Sequence, residues 1–306
     1  IIDNESEKFD SVITKTEKAM LSAAVNAIKK LDVDASGNIR TTTANIKLLA
    51  TIRTKLATVA SNKEFMSGVK SVANAMDKLY KAQVEYYSKA FPQKTLGDNA
   101  KKKHQALQQI AISNVASGLS QSALTASVVE PLNKMLLRAV TSGAKYADLI
   151  DEFHKQLESS DDSTSALAKY AKTYATTAMT QLAGENNRLF TDDLGAEWFQ
   201  YVGSVIETTR QFCELLTEKE YIHKSEFKDI LAGYIEIDGK VHECEMNPKT
   251  GLPKGLIEGT TEQNFQVNVG GWNCRHQLIP ISELMLPEHI RAKFNKGANS
   301  QIEQSK

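Results

Sequence analysis

The stretch Glu7–Leu31, EKFDSVITKTEKAMLSAAVNAIKKL, decides the fold class. Its apolar residues Phe9, Val12, Ile13, Ala19, Met20, Ala23, Ala24, Ala27, Ile28 and Leu31 recur three and four positions apart, which places them on one stripe of an α-helix. Charged and polar residues fill the opposite face. Such a stripe must be buried against another element, so the neighbouring sequence has to supply partners.

Working outward, Asp32–Gly37 breaks the periodicity, and Ile39, Ile46, Leu49, Ile52, Leu56 and Val59 begin a second stripe that turns near Ser61 and Asn62. A third runs through Phe65, Val69, Val72, Met76, Leu79, Val84 and Tyr87. It stops before Pro92, because proline disfavours helix at the residue preceding it. Long helices joined by short turns predict an antiparallel three-helix bundle over residues 1–95. The segment Phe91–Asn99, rich in Pro, Gly, Asp and Asn, then leads into Lys101, Lys102 and Lys103 and marks a boundary.

Further helices are predicted over 99–117, 120–142, 145–158 and 164–188, with turns at Ser142-Gly143 and Ser159–Ser163. Asp162 or Ser163 would cap the last, and Pro131 should kink its helix or mark a helix start. After Gly233 the period shortens: Tyr234, Ile235, Ile237 and Val241 surround the turn dipeptide Asp238-Gly239, a hairpin signature. Asn247–Gly259 reads as an irregular loop, and Phe265, Val267 and Val269 as one more strand. The fold class predicted is α+β and predominantly α-helical. It comprises the bundle (1–95), a helical middle (96–231), a small unit containing a β-hairpin (232–290) and a flexible tail (291–306) with little to bury.

Composition sets broad limits. The chain has 306 residues, 41% hydrophobic and 24% charged, enough for a sizeable core. No apolar run approaches a membrane span, and the first thirty residues do not form a signal-peptide core, so a soluble protein without membrane contact is expected. Three cysteines, Cys213, Cys244 and Cys274, are too few for a secreted disulfide scaffold and suit a reducing compartment. Net charge is zero, yet residues 1–103 carry 18 Lys and Arg against 11 Asp and Glu, leaving 19 against 26 beyond, so the two parts differ by sign at +7 and −7. A solvated helix face explains the basic part most simply, since it shows no Arg-rich patch with interleaved aromatics. Nucleic-acid contact through the basic amino-terminal half is the alternative.

Two short segments carry more specific information: Thr209-Arg210-Gln211-Phe212-Cys213, and Gly270-Gly271-Trp272-Asn273-Cys274-Arg275-His276-Gln277-Leu278-Ile279-Pro280. In order and spacing they resemble the phage Mu protein F-like, or head-morphogenesis, domain, whose members carry an Arg-x-x-Cys segment and then a Gly-rich turn into Asn-Cys-Arg-His with a following Pro. The resemblance covers approximately residues 120–286. One departure is that many relatives have an Arg-Thr-Glu-like sequence on the preceding helix, where this chain has Ala175-Thr176-Thr177-Ala178-Met179-Thr180. The resemblance implies a minor head protein of a tailed bacteriophage, a structural component and not an enzyme. Its implied partners are the portal protein or the major capsid protein; contact with packaged DNA, through the basic amino-terminal half, is suggested by the charge distribution alone. It implies assembly in the host cytoplasm and residence in the virion, at the head interior or portal vertex, and in some relatives ejection with the genome.

The motif residues have chemistry of their own. Gly270 and Gly271 allow a sharp turn, and Arg275 offers a fork that could pin it to Glu207 or Asp192. Cys213, Cys274 and His276, with Cys244 or His242 as a fourth, would supply the nitrogen and sulfur that zinc prefers, although no Cys-x-x-Cys knuckle occurs. Buried free thiols are the default for these cysteines, with no cofactor, and a Cys213–Cys274 disulfide is a further option. Cys274-Arg275-His276 lacks the separate base and orienting residue of a thiol protease, and no P-loop, nucleophile elbow or His-Glu-x-x-His is present. Asp161-Asp162 and Asp192-Asp193 read as turn or capping residues. A thiol- or metal-dependent enzyme is therefore the least favoured alternative.

Overall fold

The amino-terminal stripe forms helix α1 (Ile2–Ile28), with Phe9, Ile13, Met20, Ala24, Ala27 and Ile28 buried along it. The computed structural model describes residues 1–94, 97–159 and 164–292. It is 65% helical and 9% strand, an α+β fold dominated by helices as the periodicities require. Compactness groups the chain into two units that are discontinuous in sequence: residues 1–77 with 109–179, and 78–108 with the chain from 180 onward.

In the first unit α1 packs on α2 (Thr43–Ala60), and Phe9 meets Phe65 of α3 (Lys63–Ala90) at 5.6 Å between ring centroids. An amino-terminal bundle of long helices is present, but it is not the expected self-contained unit of residues 1–95: its unit takes α3 only as far as Asp77 and adds residues 109–179. α2 also packs on α6 (Glu130–Ser142), and α1 on α7 (Tyr146–Leu157). Local caps set the ends. Thr42 accepts from Asn45 N–H at 3.1 Å and Asn62 from Phe65 N–H at 2.8 Å, satisfying first-turn donors that have no helical partner. Asn45, itself buried, closes the α1–α2 connection by bonding the backbone of Asp32 and Arg40.

Helix α4 (Asp98–Gly118) leads to α5 (Gln121–Leu124), which passes through a π-turn over Thr125–Val129 into α6. Pro131 stands in the first turn of α6, where a missing N–H is tolerated. The long helix α8 (Ala166–Leu194) is capped by Ser165, whose Oγ accepts from Ala168 N–H at 3.0 Å. The cap expected at Asp162 or Ser163, and with it the Asp161-Asp162 pair, lies outside the described residues, as does the tail beyond residue 292. Among the described residues, no helix is long and apolar enough to cross a membrane.

The second unit is built on a three-stranded antiparallel sheet with β1 (Trp198–Val202) central, β2 (Tyr221–His223) on one side and β5 (Gln277–Ile281) on the other. Pro280 pairs opposite Phe199, and β5 is an edge strand, the position at which a missing ladder donor does least harm. Between the strands lie α9 (Gln211–Lys219), α10 (Phe227–Leu231) and the hairpin β3 (Tyr234–Ile237) and β4 (Lys240–Glu243). Asp238 and Gly239 have φ of 50° and 84°, the paired positive values of a type I′ turn, as the dipeptide predicted. Asn247–Gly259 is irregular, also as expected.

One predicted strand is absent. Phe265, Val267 and Val269 do not make a strand; Phe265–Asn268 is a single helical turn, α11. Phe265, Gln266 and Val267 are buried in succession, which a pleated strand with alternating faces could not achieve on one side. Gln266 Nε2 donates to Thr191 Oγ1 of α8 at 2.9 Å, so the polar residue that suggested alternation is itself an inward anchor.

Candidate functional site

Both motif segments belong to the second unit, and the structure brings them together. Arg210 occupies the N-cap of α9 and its carbonyl accepts from Cys213 N–H at 2.8 Å, which starts the helix and sets Cys213 one residue short of a full turn in. The Arg210 side chain reaches the glycine turn. Nη1 donates to the Gly270 carbonyl at 2.7 Å and Nη2 to that of Trp272 at 2.9 Å, two parallel bonds from one planar fork. Gly270 and Gly271 have φ of 83° and 76°, and Asn273 follows at 57°. A Cβ on Gly270 would stand 2.2 Å from Cys274 Sγ, and one on Gly271 would stand 1.9 Å from the carbonyl oxygen of Gly255. Glycine is required at both for space as well as for dihedral angle.

Beneath the turn, Cys213 Sγ lies 3.9 Å from Cys274 Sγ, and Cys274 Sγ lies 3.4 Å from His276 Nδ1. The three side chains are buried and their potential ligand atoms all fall within 4.8 Å of one another. The sulfur separation is far above the ~2.05 Å of a disulfide, and all three cysteines are free. Cys274 is held below the ordinary thiol range, first by the hydrogen bond from Cys213 and then by His276. Cys213 is pushed up, because its proton is held in that bond and because it is buried.

The surroundings fix this cluster. Thr180 Oγ1 of α8 donates to the Cys274 carbonyl at 2.7 Å, and Asn187 Nδ2 donates to the Leu278 carbonyl at 3.1 Å. Tyr201 of β1 stacks on His276 at 5.3 Å with 12° between the planes. Gly203 provides the space for that ring, since a Cβ there would lie 2.2 Å from His276 Cδ2. The Tyr201 hydroxyl is buried against Cys213 without reaching hydrogen-bonding geometry with any protein atom, and burial drives its pKa well upward. His276 Nε2 is likewise buried without a hydrogen-bond partner.

Of the residues singled out from sequence, Arg210, Cys213, Gly270, Gly271, Cys274 and His276 converge, Asn273 shapes the turn, and Pro280 lies beyond it in β5. Arg210 clamps the turn through the Gly270 and Trp272 carbonyls, and Asp192, one of the two partners expected for Arg275, bonds Arg188 at 3.4 Å. Cys244 is buried and its thiol is raised to about 11 by that burial, but neither it nor His242 joins the cluster. Sequence reasoning missed Tyr201, Thr180 and Asn187. A signal existed for one of them: Asn186-Asn187 is a poor helix-forming pair inside a long helix, a mark of side chains with other work to do.

No profile of a known protein family matches the chain, and comparisons with curated proteins and with solved structures find no match. The likeness to the Mu F-like domain therefore rests on the two motif segments.

Proposed function

We propose that this chain is a structural minor head protein of a tailed bacteriophage, of the Mu F-like type, which binds the portal or the inner capsid during head assembly and resides in the virion. The observation that carries the reading is the clasp: the two segments that resemble the family, about sixty residues apart, are joined through Arg210 and the Cys213–Cys274–His276 cluster. Two segments that serve one domain should meet in space, and these do. The buried thiols are closed to a substrate, which favours an architectural role over catalysis. Trp272 on the glycine turn (56% exposed), and Val205 and Ile206 in the connection before Arg210 (53% and 63%), present apolar side chains to solvent, suited to a protein partner.

The test is co-expression of the tagged chain with the portal protein of the same virus, followed by affinity capture. Portal oligomer should be retained, and Trp272→Ala should weaken retention while leaving the helical signal in circular dichroism unchanged. If portal and capsid shell both pass through uncaptured, and particles assembled without the protein package DNA normally, the assignment is wrong.

A further inference from the structure

The buried cluster at the clasp has the donor set and the spacing of a metal centre. For tetrahedral zinc with about 2.3 Å to sulfur and about 2.0–2.1 Å to nitrogen, the sulfur–sulfur edge is about 3.8 Å and the sulfur–nitrogen edge about 3.6 Å. Cys213 Sγ to Cys274 Sγ measures 3.9 Å, and Cys274 Sγ to His276 Nδ1 measures 3.4 Å. The remaining edge is no longer than 4.8 Å. We propose that Cys213, Cys274 and His276 bind a structural zinc ion that ties the first turn of α9 to the segment following the Gly270-Gly271 turn.

Three features besides the distances support this. The ligands come from two segments separated by more than sixty residues, so the ion would cross-link the second unit where an ordinary core contact supplies only packing. The Tyr201 hydroxyl is 2% exposed as part of its residue, lies on the Gly270 side of the cluster and has no hydrogen-bond partner. A buried hydroxyl left unpaired carries a desolvation cost that nothing offsets. An ion at the cluster gives that oxygen a role, in the fourth coordination position or through a hydrogen bond to a coordinated thiolate. Finally, Thr180 fixes the Cys274 carbonyl and Arg210 fixes the turn above it, so the ligand-bearing backbone is held by neighbours in the way metal sites require. On binding, both cysteines coordinate as thiolates and their two protons pass to solvent. The inference is independent of the role in head assembly.

The experiment uses the whole chain purified under reducing conditions, with metal content measured by mass spectrometry and cobalt(II) titrated into the metal-free protein as a spectroscopic probe. One zinc per chain is expected, and cobalt should give a thiolate-to-metal charge-transfer band saturating at one equivalent. Cys274→Ser and Cys213→Ser should lose the band, and Cys244→Ser should keep it. Should the first two variants fail to fold, the wild-type titration decides alone. The proposal is overturned if folded wild-type protein gives no charge-transfer band, or if the band survives both Cys213→Ser and Cys274→Ser.

Discussion

Helix propensity and tertiary packing make opposite predictions for Gly184→Ala, and the structure selects between them. Gly184 lies inside α8, where alanine is intrinsically favoured over glycine by about 1 kcal/mol. A Cβ there would stand 2.4 Å from the Gln266 carbonyl oxygen and 2.7 Å from Val267 Cα, both backbone atoms of α11. Those atoms cannot rotate away as a side-chain tip would, and the Gln266 side chain is anchored to Thr191 on the same helix. Forcing one extra methyl into such a contact costs about 1–3 kcal/mol. Subtracting the propensity gain leaves a net destabilisation of up to about 2 kcal/mol. For a body of this size each kcal/mol corresponds to about 2–4 °C in melting temperature. Thermal melts followed by far-ultraviolet circular dichroism would measure it, with Gly97→Ala as the control. Nothing lies within 4 Å of a Cβ on Gly97, which stands at the N-cap of α4, so that variant meets no clash and should cost only the cap preference for glycine over alanine, about 0.5–1 kcal/mol. A Gly184→Ala protein that melts at or above the wild-type temperature would refute the close approach of α8 and α11.

Replacing Arg210 by Ala removes both bonds to the Gly270 and Trp272 carbonyls; because the side chain is partly solvent-exposed, the expected loss is about 1 kcal/mol. Arg210→Lys should restore only part of it, since a point charge cannot span two carbonyls; equal melting temperatures for Arg210→Lys and wild type would show that the fork is idle. His104 is fully buried between Tyr80 and Phe190, with Nδ1 2.8 Å from Asn186 Oδ1, and burial lowers its pKa. Above its ordinary value both folded and unfolded states are neutral and it contributes nothing. As pH falls below about 6.5 the unfolded chain takes up a proton that the folded one resists, so stability should fall with pH in that window. Denaturant midpoints across it should drop for wild type and drop less for His104→Phe; parallel curves would remove His104 from the account.

The parts of the fold that were legible in the sequence are those whose cause is local. The stripe from Phe9 to Leu31 and its successors forced helices because a 3.6-residue period has one compact solution. Asp238-Gly239 forced a hairpin because few dipeptides accept two positive φ values. Burial misled the reading at Phe265–Val269: the alternation was real, but Gln266 pointed inward to Thr191, and a polar residue with a buried partner looks the same in sequence as one facing water. Strands β1, β2 and β5 were also missed: β2 has three residues, and β1 and β5 bury neighbouring residues in succession, so no clean two-residue period shows.

The same division runs through the site. By itself the sequence determined that Arg210 to Cys213 and Gly270 to Pro280 form an ordered pair of motifs, and that glycine at 270 and 271 serves a turn. Which arginine closes that turn, which two of three cysteines meet, and that Tyr201, Thr180 and Asn187 surround them were decided only by tertiary structure. The chain divides not at the expected boundaries but within α3, α4 and α8, so that residues 78–108 group with the chain from 180 onward. Periodicity records which face of an element is buried. It carries no record of the partner that buries it, and a site assembled from α8, β1, α9 and the glycine turn exists only once those partners are chosen.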